Sequence, residues 1–199
     1  IFPLMWGNNY SEQKSNLKRK INSKEFKIIY AGTFKPYGLR PTIYETSFEL
    51  IKSLRILINT VNKLDGISLT IRMRDGDECS VDSLKFILPN SDNLVFDNSG
   101  LFEEQLIGHD CLISFSSTTL EEALSYSIPV ATFTCDSTYK HLQQADSCGL
   151  IYNLTKENLE NQLVSMKGSI ENSPPLRTED KSRIFWNDKE AVNFFDFLT

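Results

Sequence analysis

Short apolar runs separated by stretches of helical periodicity are the feature that most limits what this chain can fold into. The runs fall at Ile28 to Ala31, Leu69 to Met73, Leu94 to Phe96, Leu112 to Phe115 and Val130 to Phe133, and each is the length of a strand. Strands that alternate with helices pair in parallel through right-handed crossovers, so the expected fold is α/β, a Rossmann-like doubly wound parallel sheet. The last two runs are apolar on consecutive residues, as in strands covered on both faces. Between the first two runs, Tyr44, Phe48, Ile51, Leu54, Ile58 and Val61 recur at helical spacing. Pro41 and Thr42 read as the start of that helix and Asp65-Gly66 as its stop. After Gly149 come a short run from Leu150 to Tyr152, a helix near Thr155 to Lys167, a link at Pro174-Pro175 and an amphipathic C-terminal helix from Trp186.

The expected domain plan has residues 1–26 as a lead-in from a missing N-terminal domain, 27–167 as the Rossmann-like unit, and 168–199 as linker and C-terminal helix. Residues 11–25 are polar with little periodicity, and Ile at position 1 suggests a piece of a longer protein. The 40% hydrophobic content suits one core, and a formal charge of −5 offers no general attraction for nucleic acid or anionic lipid. Any bound phosphate must therefore be held locally. Cys79, Cys111, Cys135 and Cys148 form no CxxC pair, which fits reduced thiols in a cytoplasmic setting. No apolar stretch approaches the roughly 20 residues that span a bilayer.

The chemistry concentrates in Ser114-Phe-Ser-Ser-Thr-Thr-Leu-Glu-Glu-Ala-Leu-Ser-Tyr-Ser-Ile-Pro-Val130. This stretch runs from a buried strand through four hydroxyl residues into a helix and on to the next strand. Thr118 with Glu121, and Thr119 with Glu122, match the spacing of a capping box, so the helix should begin at these threonines. Its first amides then face the ligand edge of the sheet, and the hydroxyls of Ser116, Ser117, Thr118 and Thr119 add donors around them. The arrangement suits a phosphate without needing a lysine. Glu121 or Glu122, one turn in, can accept hydrogen bonds from the vicinal hydroxyls of a ribose. An ordinary N-cap explains the same pattern about as well.

The segment resembles the donor-site motif in the carboxyl-terminal domain of GT-B glycosyltransferases, particularly those building capsule and surface polysaccharide, and is also similar to UDP-N-acetylglucosamine 2-epimerase. Glu121-Glu122, Ala123 and Ile128-Pro129-Val130 match that motif, while Ser127 stands where the family usually has Gly. The resemblance implies a nucleotide-sugar as substrate, its phosphates on Ser116, Ser117 and Thr118 and its ribose on Glu122. It also implies an N-terminal acceptor domain, no cofactor and no required metal, and a cytoplasmic site that could lie at the inner membrane face through the full-length protein. Phe185 to Ala191 is similar, more weakly, to the segment that closes many such transferases. An epimerase of the same architecture and a non-catalytic nucleotide-binding remnant are the rival readings. An epimerase usually has an Arg soon after the fifth strand, and Thr132 to Asp136 contains none.

Gly32 and Thr33 directly follow the first run. With Lys35, Gly38 and Arg40 beyond them, they can bring backbone close to a donor, with Lys35 and Arg40 as the cations that compensate charge on the leaving phosphate. A glycine needed for a tight strand exit is the alternative for Gly32. Arg72 and Arg74 end the second strand where related capsule transferases carry a His-Pro pair. They are either substitute nucleotide contacts or solvated edge charges. Asp75-Gly-Asp77 spells the metal-binding Asp-x-Asp, but Asp and Gly are also default turn residues. His109 reads as a structural histidine, and His141 lacks partners at metal spacing.

Overall fold

The computed structural model describes residues 25–33, 46–74, 80–136 and 149–172. Six parallel strands form its sheet: β1 (Phe26–Thr33), β2 (Ile67–Arg74), β3 (Leu94–Phe96), β4 (Cys111–Ser114), β5 (Val130–Phe133) and β6 (Ile151–Leu154). Their order is β3-β2-β1-β4-β5-β6, with every neighbouring pair parallel. This is the Rossmann-like arrangement expected from the alternation of runs. The third and fifth runs coincide with their strands; β1 and β2 extend beyond theirs by one to two residues at each end.

Among the described residues, five helices cover the sheet: α1 (Ser47–Val61), α2 (Val81–Ile87), α3 (Phe102–Ile107), α4 (Thr119–Ser125) and α5 (Leu159–Asn172), the last entered through a 3-10 turn at Lys156–Asn158. Alternate residues of β1 sort them onto two faces. Ile28 and Tyr30 pack with Leu54, Leu57 and Ile58 of α1, Leu84 of α2 and Leu163 and Met166 of α5. Ile29 and Ala31 pack instead with Leu106 of α3 and Leu120, Ala123 and Leu124 of α4. Burying a Leu or Ile side chain fully contributes about 1.5–3 kcal/mol. Both faces of β1 are closed in this way, which is why the central runs carry no polar alternation.

The start of α1 corrects the sequence reading. Pro41 and Thr42 lie outside the described residues, and α1 begins at Ser47, because Thr46 is an extended N-cap whose hydroxyl accepts from the Glu49 amide while Glu49 Oε2 accepts from the Thr46 amide and hydroxyl, both at 2.8 Å. This is a complete capping box. The helix also ends at Val61, before Asp65-Gly66; Gly66 instead turns the chain at φ 67 and its carbonyl accepts from the Phe26 amide. At the far end, α5 runs past Lys167 to Asn172.

Candidate functional site

The helices that follow β1 and β4, which are adjacent in the sheet, leave to opposite faces: α1 on one, α4 on the other. At such a switch point the two connections diverge and open a crevice beyond the carboxyl ends of the strands. The crevice receives the Gly32-Thr33 end of β1 and the Ser116 to Thr119 run after β4, so the topology brings these two predicted groups to one place.

The hydroxyl run differs from the expected cap. Thr118 precedes α4 with φ −60 and ψ −14, already helical, and makes no side-chain cap bond. An N-cap hydroxyl reaches the amides of the first turn from an extended backbone, so the capping boxes from Thr118 to Glu121 and from Thr119 to Glu122 do not form. Ser117 Oγ accepts from the Thr119 amide at 3.3 Å instead, and the Leu120 amide donates to the Ser117 carbonyl at 3.0 Å. Among the described residues, nothing accepts from the amides of Ser116, Ser117 or Thr118. Thr119 Oγ1 is buried without a hydrogen-bond partner. Because α4 has only seven residues, local amides and hydroxyls, rather than a long helix dipole, are what this corner offers an anion. Glu122 lies half-buried one turn in, its amide bonded to the Thr118 carbonyl.

Gly32 has a packing role of its own. A Cβ there would lie 2.9 Å from Met73 Sδ and 3.0 Å from Tyr30 Cε1, so a larger residue would require the Met73 and Tyr30 side chains on the α1 face to shift. Thr33 ends β1 opposite Arg74. Arg72 turns away from the crevice: it donates to the Ser99 and Gly100 carbonyls, each at 2.9 Å, and lies 5.6 Å over the Phe102 ring. Its charge thereby ties down the turn between β3 and α3, in which Gly100 sits at φ 67. Asn98 reinforces that turn, accepting from the Met73 amide at 3.0 Å and donating to its carbonyl at 2.6 Å. Lys35, Arg40, Gly38, the Asp75-Asp77 pair, Cys79, Cys148, His141 and the closing segment lie outside the described residues.

His109 has both ring nitrogens engaged, Nδ1 donating to the Gln105 carbonyl at 2.6 Å and Nε2 accepting from the Thr70 hydroxyl at 2.8 Å. Burial holds its pKa below the usual histidine value. Cys111 and Cys135 are buried thiols outside any disulfide. Among the described residues, no group of three or more His, Cys, Asp or Glu is placed to hold a metal, and no helix is long and apolar enough to cross a membrane.

Sequence reasoning missed a charged cluster at this same edge. Asp136, three residues past β5, meets Lys52 Nζ of α1 at 2.6 Å and Lys156 Nζ of the 3-10 turn at 3.4 Å. The Lys52 hydrogen bond, first among several causes, holds the Asp136 carboxyl down to about 2. The members are 84 and 20 residues from Asp136 in sequence, and no local pattern joins them.

No protein-family model and no curated protein matches the sequence. Solved structures match the fold. The UDP-GlcNAc 2-epimerase of Neisseria meningitidis, bound to UDP-GlcNAc, aligns at a TM-score of 0.57 and 15% identity, over 85% of this chain and 44% of that one. The S. aureus MnaA complex with UDP aligns at 0.51 and 12% identity, over 85% and 46%. The wall teichoic acid polymerase TagF aligns over 90% and 44%, at 17% identity and a TM-score of 0.47 that is too loose to bear on function. The chain spans less than half the length of each. What it shares with the first two is the fold.

Proposed function

We propose that this domain binds a nucleotide-sugar and is the donor-holding half of a GT-B glycosyltransferase, acting with a second domain that supplies the acceptor site and any general base. The observation that carries the reading is the switch-point crevice between β1 and β4, with the Ser116 to Thr119 run at its mouth and three backbone amides there without a partner among the described residues. Amides and hydroxyls converging on an apolar sheet edge suit a phosphate. The ribose goes to Glu122. Fold likeness to proteins solved with UDP-GlcNAc and UDP supports the ligand class.

The chemistry on this side is electrostatic. As the bond from sugar to phosphate breaks, negative charge grows on the departing phosphate, and fixed amides and hydroxyls stabilise it more than they stabilise the intact donor. Lys35 and Arg40 serve as the compensating cations, and no metal is required. The absence of Arg from Thr132 to Asp136 favours transfer over epimerisation.

Calorimetric titration with UDP, GDP, CMP and their sugars, with and without EDTA, tests the reading. A ligand present at about 100 times its dissociation constant stabilises the fold by roughly 2.7 kcal/mol, which a thermal scan resolves. Binding of one nucleotide that survives chelation supports it. No binding by any of them, or binding that collapses with EDTA and returns with manganese, overturns it.

A further inference from the structure

We propose that Lys52 and Lys156 form a second anion subsite on the wall of the crevice opposite the hydroxyl run, taking a carboxylate or phosphate carried on the sugar side of the nucleotide-linked ligand. The inference deepens the donor-binding reading and rests on it for the identity of the ligand.

Topology places the two walls. Ser114 and Thr132 are in register on neighbouring strands β4 and β5. Ser116 lies two residues beyond the first and Asp136 four beyond the second. Both positions therefore follow the carboxyl ends of adjacent strands, which lie about 4.8 Å apart. They lean to opposite faces. The hydroxyl run leads into α4, whereas the segment after β5 is drawn toward α1, where the Cys135 amide donates to Ser53 Oγ at 3.1 Å. A ligand that crosses the crevice with its phosphate on one wall meets the lysines on the other.

Charge then sets what the second wall accepts. Two ammonium groups converge on one carboxylate, so Asp136 leaves one positive charge uncompensated within the triad, in a chain whose net charge is −5. Glu49, the acid of α1, also acts electrostatically on Lys52, while its Oε2 is engaged by Thr46. Each ammonium carries three donors and gives one to Asp136. Among the described residues, the remaining donors have no hydrogen-bond partner. Asp136 stays ionised far below neutral pH, so it acts as a fixed anchor that gathers both cations. The lysines keep 45% and 44% side-chain exposure, and an arriving anion reaches them without displacing protein.

The test combines two titrations on the whole chain and on Lys52→Met, Lys156→Met and, as a control, Lys85→Met. First, inorganic phosphate is added at constant ionic strength while the lysine Cε–Hε resonances are followed by NMR. Second, UDP-glucuronate and UDP-glucose are compared by calorimetry. The expected results are a saturable shift of the Lys52 and Lys156 signals and at least a fivefold preference for the glucuronate, both lost in the first two variants and kept in the control. Equal affinity for the two sugars overturns the subsite while leaving the nucleotide-binding reading standing. If neither sugar binds, that reading fails in its uridine form and the phosphate titration decides: a saturable shift confined to Lys52 and Lys156 upholds the subsite, and uniform, non-saturating shifts overturn it.

Discussion

The Ile128 amide donates to the Ala123 carbonyl at 3.0 Å, closing α4 through a turn in which Ser127 holds φ 61. With the Ser127 amide on the Leu124 carbonyl at 2.9 Å, this is a Schellman ending. Its middle residue must be left-handed, the conformation that favours glycine. An L-residue there costs roughly 1–2 kcal/mol. Ser127→Gly is therefore expected to stabilise the domain by about 1 kcal/mol, less than the full strain because glycine also loads entropy onto the unfolded chain. A thermal melt should rise by about 2–4 °C; a fall would show that the serine side chain contributes more than its strain costs.

Ser117→Ala combined with Thr118→Ala should cost no more than about 1 kcal/mol of stability, from the Thr119 amide bond to Ser117 Oγ, since Thr118 is exposed and makes no cap bond. Nucleotide affinity is expected to fall much further, by at least tenfold. Denaturant melts and calorimetry on the same samples separate the two effects. A stability loss of about 1 kcal/mol with unchanged affinity would assign the hydroxyls to capping alone.

Glu122→Gln is expected to weaken binding of ribonucleotides more than of 2′-deoxy analogues, which have already lost one hydroxyl. Successive helical residues project about 100° apart, so Glu121 and Glu122 cannot both face the crevice. A carboxylate with an unfilled hydrogen-bond position costs on the order of 1–3 kcal/mol, well within calorimetric reach. Equal wild-type affinity for ribo and deoxyribo forms, or greater damage from Glu121→Gln, contradicts the assignment.

His109 gives a pH dependence with a definite sign. Its folded pKa lies below the ordinary 6.5, through burial first, so the folded state binds fewer protons than the unfolded one. Stability is then full above about 6.5 and declines as the pH falls toward the folded pKa. Protonation would also put a second N–H where Nε2 accepts from Thr70. His109→Gln should be less stable at neutral pH yet show a flatter slope between pH 6.5 and 5; an unchanged slope would mean that another group titrates there.

Periodicity and apolar runs by themselves determined the strand sequence, the parallel sheet and the hydroxyl run as the residues to inspect, because burial on both faces of a central strand permits few polar positions. Ser127 was visible as a departure, although only its φ shows what the departure means. Local hydrogen-bond geometry decided the helix starts: Thr46 and Glu49 close a capping box that the Pro41-Thr42 signal obscured, while Thr118 carries the right letters in a backbone already turned helical. Arg72 was legible as a cation at the strand end, but its partners, Ser99 and Gly100, belong to a turn that arrives from β3. The meeting of Lys52, Asp136 and Lys156 belongs to the tertiary structure alone. A sheet that orders its strands 3-2-1-4-5-6 places residues from three distant connections at one edge, and no spacing along the chain encodes that proximity.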